Sequence, residues 1–135
     1  MVNRYLLVVL LSSQLVWPAR AYDPERARQN LSYDLVECAT YYQMSAISAT
    51  KMNRLEVASE FLKSKDFALK MLATFRPEPG AVPKLQADME LASKEFARRI
   101  NNEGWSRVIL VYSDMCRDLL KDLEARLNYW LQQQD

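Results

Sequence analysis

Asp34, Glu37 and Tyr41 stand three and four residues apart, a spacing that places them on successive turns of one helix face. Two carboxyls beside a phenol make the one cluster in this chain whose residue types suit general acid/base work. The same pattern is the ordinary solvated edge of an amphipathic helix, and that is the expected reading. A carboxylate-dependent hydrolase using Glu37 with Asp34 is kept as a remote alternative. The other familiar chemistries lack their residues. There is no histidine, which removes the usual general base and the usual zinc or haem ligand. Two glycines in the whole chain cannot build a phosphate-cradling loop. No catalytic residue, cofactor or metal is expected, and the chain does not read as an enzyme.

The two cysteines, Cys38 and Cys116, have no C-x-x-C spacing and are expected to form a disulfide. Each sits in the middle of an apolar helical stripe. Leu31, Leu35, Cys38, Tyr42, Ala46 and Ala49 step by three and four residues, as do Ile109, Tyr112, Cys116, Leu119, Leu123, Leu127 and Trp130. A bridge between the first and last helices would stabilise the fold by roughly 4 kcal/mol in the chain-entropy model.

The elements that must position these residues follow from the chain in order. Residues 1–21 have the layout of a secretory signal: Arg4 in a short basic opening, an apolar run from Tyr5 to Leu11, and Ala19-Arg-Ala21 at the cut. The apolar run is too short and too interrupted for a span of roughly 20 apolar residues, so cleavage after Ala21 is expected rather than a retained anchor. The remaining residues, 22–135, make one domain. Loss of Arg4 and Arg20 leaves it about one charge negative, with no electrostatic case for a nucleic-acid partner. No second run is long enough to span a membrane.

Four helices are predicted, over about 24–49, 55–75, 84–102 and 106–133. Asp23-Pro24-Glu25 starts the first, with a capping carboxylate, a proline where its missing N–H is not needed, and an acid at the positive end of the dipole. Three prolines and a glycine over 76–83 make a loop, and Gly104 ends the third helix. Lys65, on the apolar stripe of the second helix, is expected to snorkel. With no alternating strand pattern, the fold class is all-α: an antiparallel bundle of about four helices with one inter-helix disulfide.

The stretch Asp34-Leu-x-x-Cys38-Ala39-x-Tyr41-Tyr42 after a signal segment resembles the opening of short exported helical proteins of Gram-negative bacteria and their phages. The resemblance implies the periplasm and no activity. Aromatic residues carry the remaining functional signal. Adjacent Tyr41 and Tyr42 lie about 100° apart on a helix, so one is expected at the rim. Together with Trp105, Tyr129 and Trp130 they form a candidate partner-binding rim, since exposed Tyr and Trp are enriched at interfaces. The leading expectation is a protein that binds another envelope protein, as an inhibitor, an immunity-type protector or a regulator of envelope or lysis. The alternative is a small-ligand or lipid binder, with an apolar cavity between helices lined by Tyr42, Met44, Phe61, Met71, Met89 and Phe96.

Overall fold

The computed structural model describes residues 23–76 and 81–133. The expected export segment and the cut expected after Ala21 lie outside the described residues. All described elements are helical: α1 (Pro24–Lys51), α2 (Leu55–Phe75), α3 (Ala81–Glu103), α4 (Trp105–Lys121) and α5 (Leu123–Leu131).

The start of α1 is the predicted one. The Asp23 carboxylate accepts a hydrogen bond from the Glu25 amide at 3.0 Å, and Pro24 opens the first turn. The helix runs to Lys51 and then turns through Met52, Asn53 and Arg54. Asn53 takes a φ of 56°, the left-handed conformation that Asn tolerates better than most residues. The first two helices are therefore a hairpin and not one continuous helix.

Two boundaries differ from the sequence expectation. The third helix begins at Ala81, three residues before the predicted start, and Pro83 lies inside its first turn. A proline is harmless there, because the first four N–H groups of a helix have no intrahelical partner. Of the expected loop over 76–83, residues 77–80 lie outside the described residues. Arg76 closes this end of the molecule: its guanidinium donates to Asp88 of α3 at 2.7 Å and lies over the Tyr33 ring.

The second correction concerns the last predicted helix, 106–133, which is two helices, so the described bundle has five helices and not four. The break is at Asp122, whose φ of −149° and ψ of 85° are not helical. Its amide still bonds back to Asp118, ending α4, while its carboxylate accepts from the Ala125 amide at 2.9 Å and caps α5. An aspartate that can satisfy an orphan N–H competes with continuing the helix. At the α3–α4 junction Gly104 has φ 87° and ψ 148°, a region that essentially only glycine enters.

The core sits around α1, against which every other helix packs. Leu31, Leu35, Val36, Cys38, Ala39, Tyr41 and Tyr42 of α1 meet Ala68 and Leu72 of α2, Phe96 of α3 and Val108, Tyr112, Cys116 and Leu119 of α4. The Cys38–Cys116 disulfide joins the middle of α1 to the middle of α4 across 78 residues, with both cysteines fully buried. The Lys65 ammonium reaches Asp66 at 3.2 Å from a mostly buried side chain, consistent with a snorkelling stem. Among the described residues no helix is long and apolar enough to cross a membrane.

Candidate functional site

A helix at the centre of a bundle buries more than one stripe, and this changes the fate of nearly every residue singled out above. Tyr41 and Tyr42 are both buried, at 5% and 8% exposure, so the expectation that one lies at the rim is corrected. Tyr41 stacks towards Phe96 and Tyr112, with ring centroids 6.5 and 6.2 Å away, while Tyr42 turns to Phe61 of α2 at 6.2 Å. The two rings lie beside each other, centroids 5.2 Å apart, and neighbouring helices cover both. Burial pushes the hydroxyls of both tyrosines above their ordinary pKa.

The Asp34 and Glu37 carboxyls have opposite surroundings. Asp34 is not a solvated edge; it is buried beneath α5 and fully occupied. Its Oδ2 accepts from Arg126 Nε at 2.7 Å and from Trp130 Nε1 at 2.6 Å, and its Oδ1 accepts from Arg126 Nη2 at 3.2 Å. The Arg126 guanidinium also lies over the rings of Tyr129 and Trp130. Trp130 is thus a structural anchor more than a rim residue, while Tyr129 beside it stays half-exposed. Nothing local in the sequence pairs residues 92 positions apart. The one available signal was a charge, Arg126, beside the apolar stripe of a helix with few other reasons to stay docked.

Glu37 is half-buried in a polar cleft of about 370 Å³ that Asp34, Arg99, Tyr112, Arg126 and Trp130 also line. Arg99 there donates to the Tyr112 hydroxyl at 2.8 Å and pairs with Glu103 at 3.0 Å. Glu37 itself makes no ion pair among the described residues. Burial raises its carboxyl above the ordinary value of 4.5; the charge of Asp34 adds to this, and Arg99 and Arg126 oppose it. The folded chain therefore holds this proton more tightly than the unfolded chain, and stability falls as pH rises from about 4.5 through the raised value. Glu37→Gln keeps the shape without the charge. It is expected to raise the melting temperature at pH 7 and to remove that part of the pH dependence, as thermal melts from pH 4 to 8 would show. With Asp34 held on both oxygens, the pair lacks a second free carboxyl for acid/base work.

A more apolar cleft lies elsewhere, between the end of α1, the start of α2 and the start of α4. It has a volume of about 480 Å³ and is open to solvent. Tyr41, Ala49, Met52, Val57, Phe61, Trp105 and Ile109 make its apolar lining, with Ser45 and Ser48 on the α1 side and Lys51 and Arg54 at the turn. Trp105 is 41% exposed and Met52 63%. Neither Lys51 nor Arg54 has a carboxylate partner among the described residues, and no acidic residue lines the cleft. Of the five expected rim aromatics the structure brings Tyr41 and Trp105 to this cleft, Tyr41 as part of its wall. Trp130 lines the polar cleft instead, and Tyr42 lines neither.

Of the six residues expected to line an interhelical cavity, only Phe61 reaches this cleft. Met44 and Phe96 line a residual space of about 10 Å³, and the others pack into or against the core. The chain uses these side chains as core. Of the cleft residues that the sequence reading missed, Met52, Arg54 and Val57 flank the α1–α2 turn and carry no periodic signal of their own, while Ile109 had one and was read only as part of an apolar stripe. Among the described residues no group of three or more metal-ligating acids or cysteines is gathered at one place. No family model, curated protein or solved structure matches the chain.

Proposed function

We propose that this is a small exported protein of the periplasm that acts by binding another protein through the cleft between α1, α2 and α4. The buried disulfide supports the location, because such bonds persist in oxidising compartments. The export segment read over residues 1–21 supports the same route. The observation that carries the binding reading is the open apolar cleft with a half-exposed tryptophan at its edge. Tryptophans in such positions are the residues most enriched among binding hot spots. A regulator or inhibitor of an envelope enzyme, or an immunity-type protector, would use a surface of this kind.

The test is an in-cell crosslinking pull-down of the tagged, exported protein, run beside Trp105→Ala. Trp105 is exposed at the first position of α4, so its removal should leave the far-ultraviolet spectrum unchanged. Loss of a tryptophan hot spot lowers affinity by about tenfold or more. The expected result is one envelope protein enriched by the parent chain and depleted by that factor with the variant. Equal recovery of every protein from both would overturn the reading. A co-purifying small molecule in native mass spectrometry, displaced by no protein, would favour a ligand binder in the same cleft.

A further inference from the structure

We infer that the cleft takes an acidic segment of its partner, one that presents bulky apolar side chains with carboxylates beside them; this rests on the binding reading just given and names the chemistry of what binds. The argument begins with charge. Several surface cations in this protein are matched: Lys63 with Glu60, Lys94 with Glu90, Arg98 with Glu95, Arg99 with Glu103 and Arg117 with Asp114. Arg28, Lys51, Arg54, Lys70, Lys84 and Lys121 have no carboxylate partner among the described residues, and of these Lys51 and Arg54 alone line the cleft. They stand three residues apart at the α1–α2 turn, both exposed, both without a carboxylate among the described residues, and both in the wall of this apolar cleft. Lys51 in the last turn of α1 also suits the negative end of that helix dipole. Arg54 has no such local reason: it precedes α2 and makes no side-chain capping bond, where an acid or a hydroxyl would have capped the helix.

The form of the cleft decides between an acidic polypeptide and an acyl chain with an anionic head. An acyl chain gains most when enclosed, and this cleft is open to solvent along its mouth. A polypeptide brings its own second layer to cover the apolar residues it buries. Met52, flexible and largely exposed, can repack against more than one apolar side chain. The Ser48 hydroxyl, half-buried in the wall, offers a hydrogen bond to a polypeptide backbone or side chain and nothing to a hydrocarbon. Opposite charges at such a rim steer the encounter and set its register.

The experiment places a photo-crosslinking amino acid at position 52 of the full exported chain, irradiates living cells, and sequences the peptide attached to it. It is repeated with Lys51→Glu and Arg54→Glu together, and with the conservative pair Lys51→Arg and Arg54→Lys. The expected adduct is a peptide with Asp or Glu within a few residues of an aromatic or aliphatic anchor. Its yield should fall by about tenfold on charge reversal and persist with the conservative pair. Matching melting temperatures among the three chains show that the turn itself is intact. A protein adduct whose yield ignores charge reversal overturns the acidic-segment inference while leaving protein binding in place. An adduct to lipid, to a second copy of this chain, or to nothing at all overturns the inference, and the first and last of these overturn the binding reading as well.

Discussion

Removing the Cys38–Cys116 bridge lowers the melting temperature by roughly 20 °C while the helix content stays close to native. The magnitude follows from the closed loop. With 78 residues between the sulfurs, the bridge withholds about 4 kcal/mol of chain entropy from the unfolded state. For a domain of this size each kcal/mol moves the midpoint by about 4–8 °C, and total stabilities run to only about 5–15 kcal/mol. The helices themselves persist because each keeps its apolar face and its caps; what is lost is the restraint that holds α4 against α1. Both cysteines are fully buried, so the clean comparison is Cys38→Ala/Cys116→Ala, which does not depend on reductant reaching the bond. Thermal unfolding followed by circular dichroism measures it. A double variant that melts within about 5 °C of the parent would mean that packing alone sets the α1–α4 contact.

Asp34→Ala is expected to be nearly as damaging, and by a different route. It strips Arg126 and Trp130 of their shared acceptor and leaves a guanidinium partly buried without its partner. Breaking a fully buried pair from one side costs about 3–5 kcal/mol. The Arg126 side chain keeps about a quarter of its surface exposed and can turn towards water, so about 2–3 kcal/mol is expected here. The loss should be local. The α5 helix has nine residues, none of them fully buried, and a helix so short is not stable without its tertiary contacts. Hydrogen exchange should show α5 amides losing protection while those of the α1–α2 hairpin keep theirs, and a protease should cut near Asp122. Uniform loss of protection along the chain would mean that Asp34 supports the core as a whole. Trp130→Phe, which removes the indole N–H donor and shrinks the ring while leaving the Arg126–Asp34 pair in place, should reproduce a smaller part of the effect.

What was legible in the sequence was local or periodic. Asp23-Pro24-Glu25, the apolar stripe of α1, and Gly104 each state their structure through capping, three-four spacing or a φ that other residues avoid, and the structure has them where they were expected. The apolar spacing along α2 is kept only in part, since Leu55 and Leu62 are exposed. The disulfide was legible too, since two cysteines centred on two core stripes need only those helices to be neighbours. The misreadings also had local causes. Asp122 fell inside the predicted helix 106–133, although an aspartate before Leu-Glu is as good a helix start as Asp23 was. Pro83 looked like a loop residue because proline marks both a loop and a first turn.

By itself, then, the sequence determined the helical class of the described residues, most of their helix ends and the one covalent crosslink. Each of these depends on neighbours within a turn or two, or on residue type alone. Only the tertiary structure decided that α1 is surrounded, and this is why Tyr41 and Tyr42 are both buried and why Asp34 is an anchor. It also decided that Met52, Arg54, Phe61 and Trp105, drawn from two helices and a turn, share one open cleft. Such assignments depend on which faces meet across the bundle. That is set by the summed packing of distant side chains, a quantity no window along the chain contains.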